Sequence, residues 1–229
     1  MKNLAIISIL LTLALLGLTT YLALAVAPTE QTMGDVQRIF YYHVPSGWVA
    51  FVCFFVNFLA SIVYIMKKSP NSDALAAASA EVGVVFCTVL LITGPLWARP
   101  VWGIWWTWDA RLTTTLVLWL IYVSYLVLRR FAAGGQTQVL AAALGIFGFI
   151  DVPIVYMSIR WFRTQHPSPV IGGGANSGLD PAMLRVFLSN LAAFTLLGFL
   201  FLVVRYRLQM REYELEVAHA QAALKGVAQ

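Results

Sequence analysis

Six long apolar runs dominate the chain, at about Leu4–Val26, Trp48–Met66, Leu75–Trp97, Thr113–Leu128, Val139–Ser158 and Met183–Val204. A transmembrane helix needs roughly 20 mostly apolar residues. Five runs come close to that length or exceed it, and the shorter fourth reaches it once its interfacial flanks are counted. Of the 229 residues, 60% are hydrophobic and 11% are charged. A chain of this size could not hide so much apolar surface in one soluble core, because small domains leave much of their surface wet. The pattern predicts an all-α integral membrane protein, with a single six-helix transmembrane domain over residues 1–229.

The first run follows Lys2 and ends in Ala25-Val26-Ala27, which resembles a signal-peptide cleavage site. Its apolar stretch is longer than a usual signal core, and Pro28 would hinder cleavage, so it reads as a retained anchor. Lysine and arginine in the short connections set the expected orientation. One side carries Lys2, Lys67, Lys68, Arg129, Arg130, Arg205, Arg207, Arg211 and Lys225; the other carries Arg38, Arg99, Arg111, Arg160, Arg163 and Arg185. All the lysines share the first side, so that side and both termini are expected in the cytoplasm. The net charge of +5 sits at helix ends, which suits lipid headgroups and argues against a nucleic-acid partner. Residues 205–229 read as a charged, helical cytosolic tail. No internal repeat or coiled coil is evident, and Gly172-Gly173-Gly174 is the one low-complexity stretch.

The unusual chemistry lies in three outer segments, Pro28–Gly47, Ala98–Leu112 and Ile159–Pro181. Around the second, WARPVWGIWWTWDARLT crowds Trp97, Trp102, Trp105, Trp106 and Trp108 into twelve positions. Tryptophans commonly form an interfacial belt. A belt spreads over both faces, whereas a cluster in one loop makes a flat apolar platform suited to a planar macrocycle. Asp109 and Arg111 interrupt it with charge, and Arg111 suits a carboxylate fork. His43 in FYYHVPSGW and His166 in RWFRTQHPSPV are expected just beyond helix ends, each beside a proline turn at Pro45 or Pro167. Imidazole is an axial ligand of heme iron, and two histidines on separate loops can approach one metal from opposite faces. A lone loop histidine is more often an ordinary surface residue, and His219 in the tail is read that way. Arg38, Arg99, Arg111, Arg160 and Arg163 are candidates to neutralise heme propionates, with a headgroup contact the alternative for each.

Two acidic residues fall inside apolar runs. Glu81 is expected to reach the inner interface, and Asp151 to pair with Arg185 rather than to form a proton or substrate site. Cys53 and Cys87 lie in apolar runs without CxxC or CxxCH, so they read as buried free thiols and not as a heme attachment site. There is no GxxxxGK[ST] phosphate loop and no nucleophile–base pair. ATP hydrolysis is therefore expected in a partner, and no enzymatic activity is expected of this chain.

The string WGIWWTWDARLT resembles the tryptophan-rich WWD signature of heme-handling proteins of cytochrome c maturation. Its continuation Trp108-Asp109-Ala110-Arg111-Leu112-Thr113 is similar to the CcmC (HelC) branch; CcmF- and CcsA-type branches typically have a proline and an acidic residue after the WD pair. The resemblance covers the whole chain, with the first histidine motif before the second span, the WWD loop at 98–112, and PIVYMS leading to the second histidine motif. Pro167 is one departure, since a polar residue often follows that histidine. The resemblance implies a heme-delivery subunit of the inner membrane, with heme-binding periplasmic loops that hold a b-type heme. His43 and His166 would be the axial ligands, Trp102, Trp106, Trp108 and Asp109 the WWD core, and Trp105 and Arg111 their neighbours. It further implies presentation of heme to the chaperone CcmE for covalent attachment, beside the ABC transporter subunits CcmA and CcmB and the small protein CcmD. Two other classes compete. A b-type cytochrome exchanging electrons with quinone is opposed by the lack of histidines within spans. A transporter carrying heme across the bilayer is opposed by the scarcity of polar residues along the spans.

Overall fold

The computed structural model describes residues 2–132, 136–167, 169 and 178–227. The glycine run Gly172-Gly173-Gly174 lies outside the described residues. Where no water reaches the backbone, a helix satisfies every internal peptide group from within its own segment, and the described chain is accordingly helical. Its elements are α1 (Lys2–Tyr21), which ends in a π-helical turn at Leu22–Val26; a 3-10 turn at Asp35–Ile39 leading into α2 (Phe40–Lys67); α3 (Pro70–Trp102); α4 (Ala110–Phe131); α5 (Thr137–Phe149); α6 (Asp151–Trp161); and α7 (Pro181–Val227). Six helical stretches are long and apolar enough to cross a membrane, with α5 and α6 forming one of them. The α5–α6 break has a local cause. Pro153 has no N–H to give the Phe149 carbonyl and its ring crowds that group, while Ile150 between the helices keeps helical dihedrals.

Helices α2 and α3 form the central pair, α7 packs on both, α4 joins α3 to α5 and α6, and α1 lies against α7. Close approach is made possible by glycine. A Cβ on Gly83 would lie 2.5 Å from Phe54 Cε1, and one on Gly145 would lie 2.3 Å from Asn57 Oδ1. Phe54 in turn stacks on Tyr122 with ring centroids 3.8 Å apart. Buried amides tie helices together, as polar side chains do in membrane bundles: Asn57 Nδ2 donates to the Ala76 carbonyl at 2.8 Å, and Asn190 Nδ2 to the Thr19 carbonyl at 3.3 Å.

At the end of the bundle away from the tryptophans, Arg129 forks Asp73 at 2.6 and 2.8 Å. Glu81 does not simply reach the interface there. It is paired with Arg205 and accepts from Gln209 Nε2 at 3.0 Å, which ties α3 to α7. The expected Asp151–Arg185 pair is not formed. Helix α7 packs on α1, α2 and α3 rather than on α6, so Arg185 is exposed elsewhere, and the buried Asp151 Oδ2 has no partner among the described residues.

Candidate functional site

Helix caps, rather than hydropathy, delimit the segments that meet at the tryptophan end. Helix α3 continues through Trp102 and stops at Gly103, whose φ of 78° is the left-handed conformation that ends helices. Helix α4 starts at Ala110, where the Asp109 carboxylate accepts from Leu112 N at 2.9 Å. The WWD loop read as 98–112 is thus shortened to residues 103–109, with Trp97 and Trp102 on the last turns of α3. The tryptophans do not form one flat platform. Trp97 and Trp102 meet edge to face at 85°, and so do Trp106 and Trp108 at 78°, the geometry that ring quadrupoles prefer. Trp105 and Trp108 present large exposed surfaces, 57% and 76%.

His43 is not beyond a helix end. The 3-10 turn runs straight into α2, His43 lies on that helix, and Pro45 lies inside it at the loss of one backbone bond, that to the Tyr41 carbonyl. The histidine is also recessed. Its Nδ1 is 2.8 Å from Thr93 Oγ1, and Thr93 lies about 13 Å short of the tryptophan end of α3 at 1.5 Å per residue. The Thr93 hydroxyl gives its proton to the Val89 carbonyl at 2.7 Å. We therefore assign Nδ1 of His43 as the donor, which leaves a lone pair on Nε2. The objection to a b-type cytochrome that no histidine lies within a span loses its force. Even so, His43 sits near one end of its span, and of the three histidines in the chain His219 lies far along α7.

His166 follows α6 on non-helical backbone, and its Nδ1 lies 3.0 Å from the Pro167 carbonyl. A carbonyl only accepts, so here too the lone pair is on Nε2. Burial first, then the neighbouring Arg111, lowers the pKa of His166 below the usual histidine value, against the opposing effects of the Pro167 carbonyl and Asp109. The imidazole is thereby favoured in its neutral form. His43 lies within electrostatic range of both His166 and Arg111. The fold thus gathers His43, His166, Asp109 and Arg111 into one neighbourhood from three segments.

The arginines divide by partner. The Arg38 guanidinium donates to the carbonyls of Ala23 at 2.7 Å and Ala27 at 3.2 Å, and pairs with Asp35 at 3.0 Å. It caps the π-helical end of the first span instead of facing the histidines. Arg99 donates to the Gly103 carbonyl and lies over the Trp105 ring at 6.0 Å. Arg160 lies over the Tyr156 ring at 5.0 Å. Arg111 donates one weak bond, to the Tyr156 carbonyl at 3.3 Å. Its Nε is buried without a partner among the described residues, and so are Trp106 Nε1, Thr107 Oγ1 and Thr113 Oγ1. Buried polar groups are normally paired, so these four groups, each able to donate, leave residues 106–113 with hydrogen-bonding capacity to spare. Sequence reasoning missed Thr93 and Thr164, which hold the histidine segments. Thr93 stands in no motif and Thr164 is an unremarked member of the second histidine motif, and each acts on a partner distant in sequence.

Comparison with known proteins gives a consistent result. The CcmC profile, described as heme exporter protein C, matches residues 1–221. The heme exporter protein C of Bradyrhizobium diazoefficiens is 37% identical over 188 residues, covering 81% of this chain and 71% of that protein. That of Escherichia coli K12 is 31% identical over 187 residues, covering 79% of this chain and 73% of that protein. A cytochrome c biosynthesis ccmC-like mitochondrial protein of Marchantia polymorpha is 31% identical over 190 residues, covering 82% and 81%.

Proposed function

The chain belongs to the CcmC family, heme exporter protein C, and from that premise we propose that it holds heme at the periplasmic end of an inner-membrane bundle and delivers it during cytochrome c biogenesis. The observation that carries this reading is the pair of histidines from separate segments, each hydrogen-bonded through Nδ1 and so left with an Nε2 lone pair. The same second contact that fixes the tautomer also fixes the ring and raises its basicity as a ligand. Among the described residues no group of three or more His, Cys, Asp or Glu gathers around a possible metal position. Two imidazoles alone suit an iron whose other four positions are filled by a porphyrin, and a b-type heme fits that description.

His43 and His166 are the axial ligands in this reading. The unpaired donors of Trp106, Thr107, Arg111 and Thr113 suit propionate carboxylates, with Arg111 the charged member of the set. Trp102 flanks the site on α3, and the exposed rings of Trp105 and Trp108 offer apolar surface to the macrocycle and to whatever receives it. Bound heme supplies the vinyl edge at which covalent attachment takes place. The chain contributes placement, with an open edge turned to a CcmE-type chaperone. The ABC subunits CcmA and CcmB and the small protein CcmD are the proposed companions, and ATP hydrolysis is assigned to a partner subunit rather than to this chain.

The test is spectroscopic. Protein purified in detergent is expected to show the low-spin spectrum of bis-histidine heme, and His43→Ala and His166→Ala are each expected to lose that signature and to retain less heme. Full heme content with unchanged spectra in both single variants would overturn the ligand assignment.

A further inference from the structure

We propose that Asp109 and Thr164 are positioning residues that hold His166 in place from the neighbouring segment, an inference that rests on His166 being an iron ligand. Both carboxylate oxygens of Asp109 are engaged by the chain itself. Oδ1 accepts from Leu112 N at 2.9 Å, and Oδ2 accepts from the Thr164 hydroxyl at 2.7 Å. The Thr164 oxygen in turn accepts from the backbone N–H of His166 at 3.1 Å. One hydroxyl thus uses its proton on the carboxylate and a lone pair on the amide. The result is a continuous line of hydrogen bonds from the first turn of α4 to the backbone of the histidine.

Such a link is needed because of where His166 stands. Helix α6 ends at Trp161, so the histidine sits on backbone with no helix to hold it. His43, by contrast, is built into α2. Asp109 is the fixed end of the link. It caps α4 by accepting from Leu112 N in the first turn. A hydrogen bond to an ionised acceptor is stronger than a neutral one, which suits Asp109 and Thr164 to restraining the segment that carries His166. Asp109 therefore serves the site through His166 and has no need to touch the cargo.

Three substitutions test the link. Thr164→Val keeps the shape and removes both hydrogen bonds, Thr164→Ser keeps both, and Asp109→Asn keeps the helix cap while replacing the acceptor that faces Thr164 with an amide. In Thr164→Val and Asp109→Asn, heme is expected to stay on His43 while part of the population turns five-coordinate and high-spin. Added imidazole is expected to restore the low-spin spectrum, and Thr164→Ser should match wild type. In heme-free protein, deuterium exchange at the His166 amide should speed up by roughly tenfold in Thr164→Val, the loss of one hydrogen bond. Wild-type spectra and exchange in Thr164→Val, alongside an altered His166→Ala, would overturn the positioning role and leave the ligand reading standing. Equal damage from Thr164→Ser and Thr164→Val would also overturn it. An unaltered His166→Ala would instead remove the ligand reading, and with it the inference, while the heme-free exchange would still report on the link alone.

Discussion

Arg38 and Arg111 stand at the same end of the bundle, and apart from the WWD string around Arg111 little in the sequence separates them. Each is a single arginine at the edge of an apolar run. Their surroundings assign them different work. Arg38 is spent on the Ala23 and Ala27 carbonyls and on Asp35, whereas Arg111 keeps a buried Nε without a partner among the described residues. Arg38→Ala should therefore uncover carbonyls at the end of the first span. It is expected to destabilise the protein by about 2 kcal/mol, the order of a hydrogen bond to a charged group, seen as a lower thermal midpoint in detergent. An unchanged midpoint would show that the contacts add nothing. The candidate ligands His43 and His166 were legible as residues, because histidine beside tryptophan on one face is rare chemistry for a lipid-facing chain. Their supports Thr93 and Thr164 were not, since a threonine in an apolar helix or loop is ordinary until its partner is known.

Helices were more legible than their ends. Each of the six expected runs coincides with a helical span, because crossing a bilayer demands a length and an apolarity that composition alone displays. The ends follow different physics. The run read as Thr113–Leu128 becomes a helix over Ala110–Phe131 because Asp109 caps it, and α3 runs five residues past Trp97 to the left-handed Gly103. Hydropathy falls at the interface while helical hydrogen bonding continues through it. Packing between elements yields a sharper expectation at Gly145, which lies against Asn57 on α2. Gly145→Ala would bring a Cβ within 2.3 Å of Asn57 Oδ1, a buried atom with little room to move. Overpacking of this kind costs about 1–3 kcal/mol, measurable as a shift in denaturant midpoint, and the gain in helix propensity over glycine is smaller. A stability equal to wild type would mean that α5 yields more easily than its packing implies.

For the molecule as a whole, the proposed orientation, with both termini in the cytoplasm, makes a labelling prediction. Cys53 and Cys87 are buried, so cysteines introduced at Lys68 and Trp108 should dominate reaction with an impermeant maleimide. In intact cells with a permeable outer membrane, Trp108→Cys is expected to label and Lys68→Cys only after the inner membrane is breached; the reverse pattern would invert the topology. The division between what composition determined and what the fold decided runs along sequence separation. Membrane class, the number of spans and the WWD segment are properties of contiguous residues, and transfer from water to lipid sums over one segment at a time, so they stand in the sequence itself. The site's polar order does not. His43 meets Thr93 at a separation of 50, Asp109 meets Thr164 at 55, and Arg111 meets Tyr156 at 45. Hydrogen bonds act over about 3 Å, and only the packing of one span on another brings such distant residues within that range.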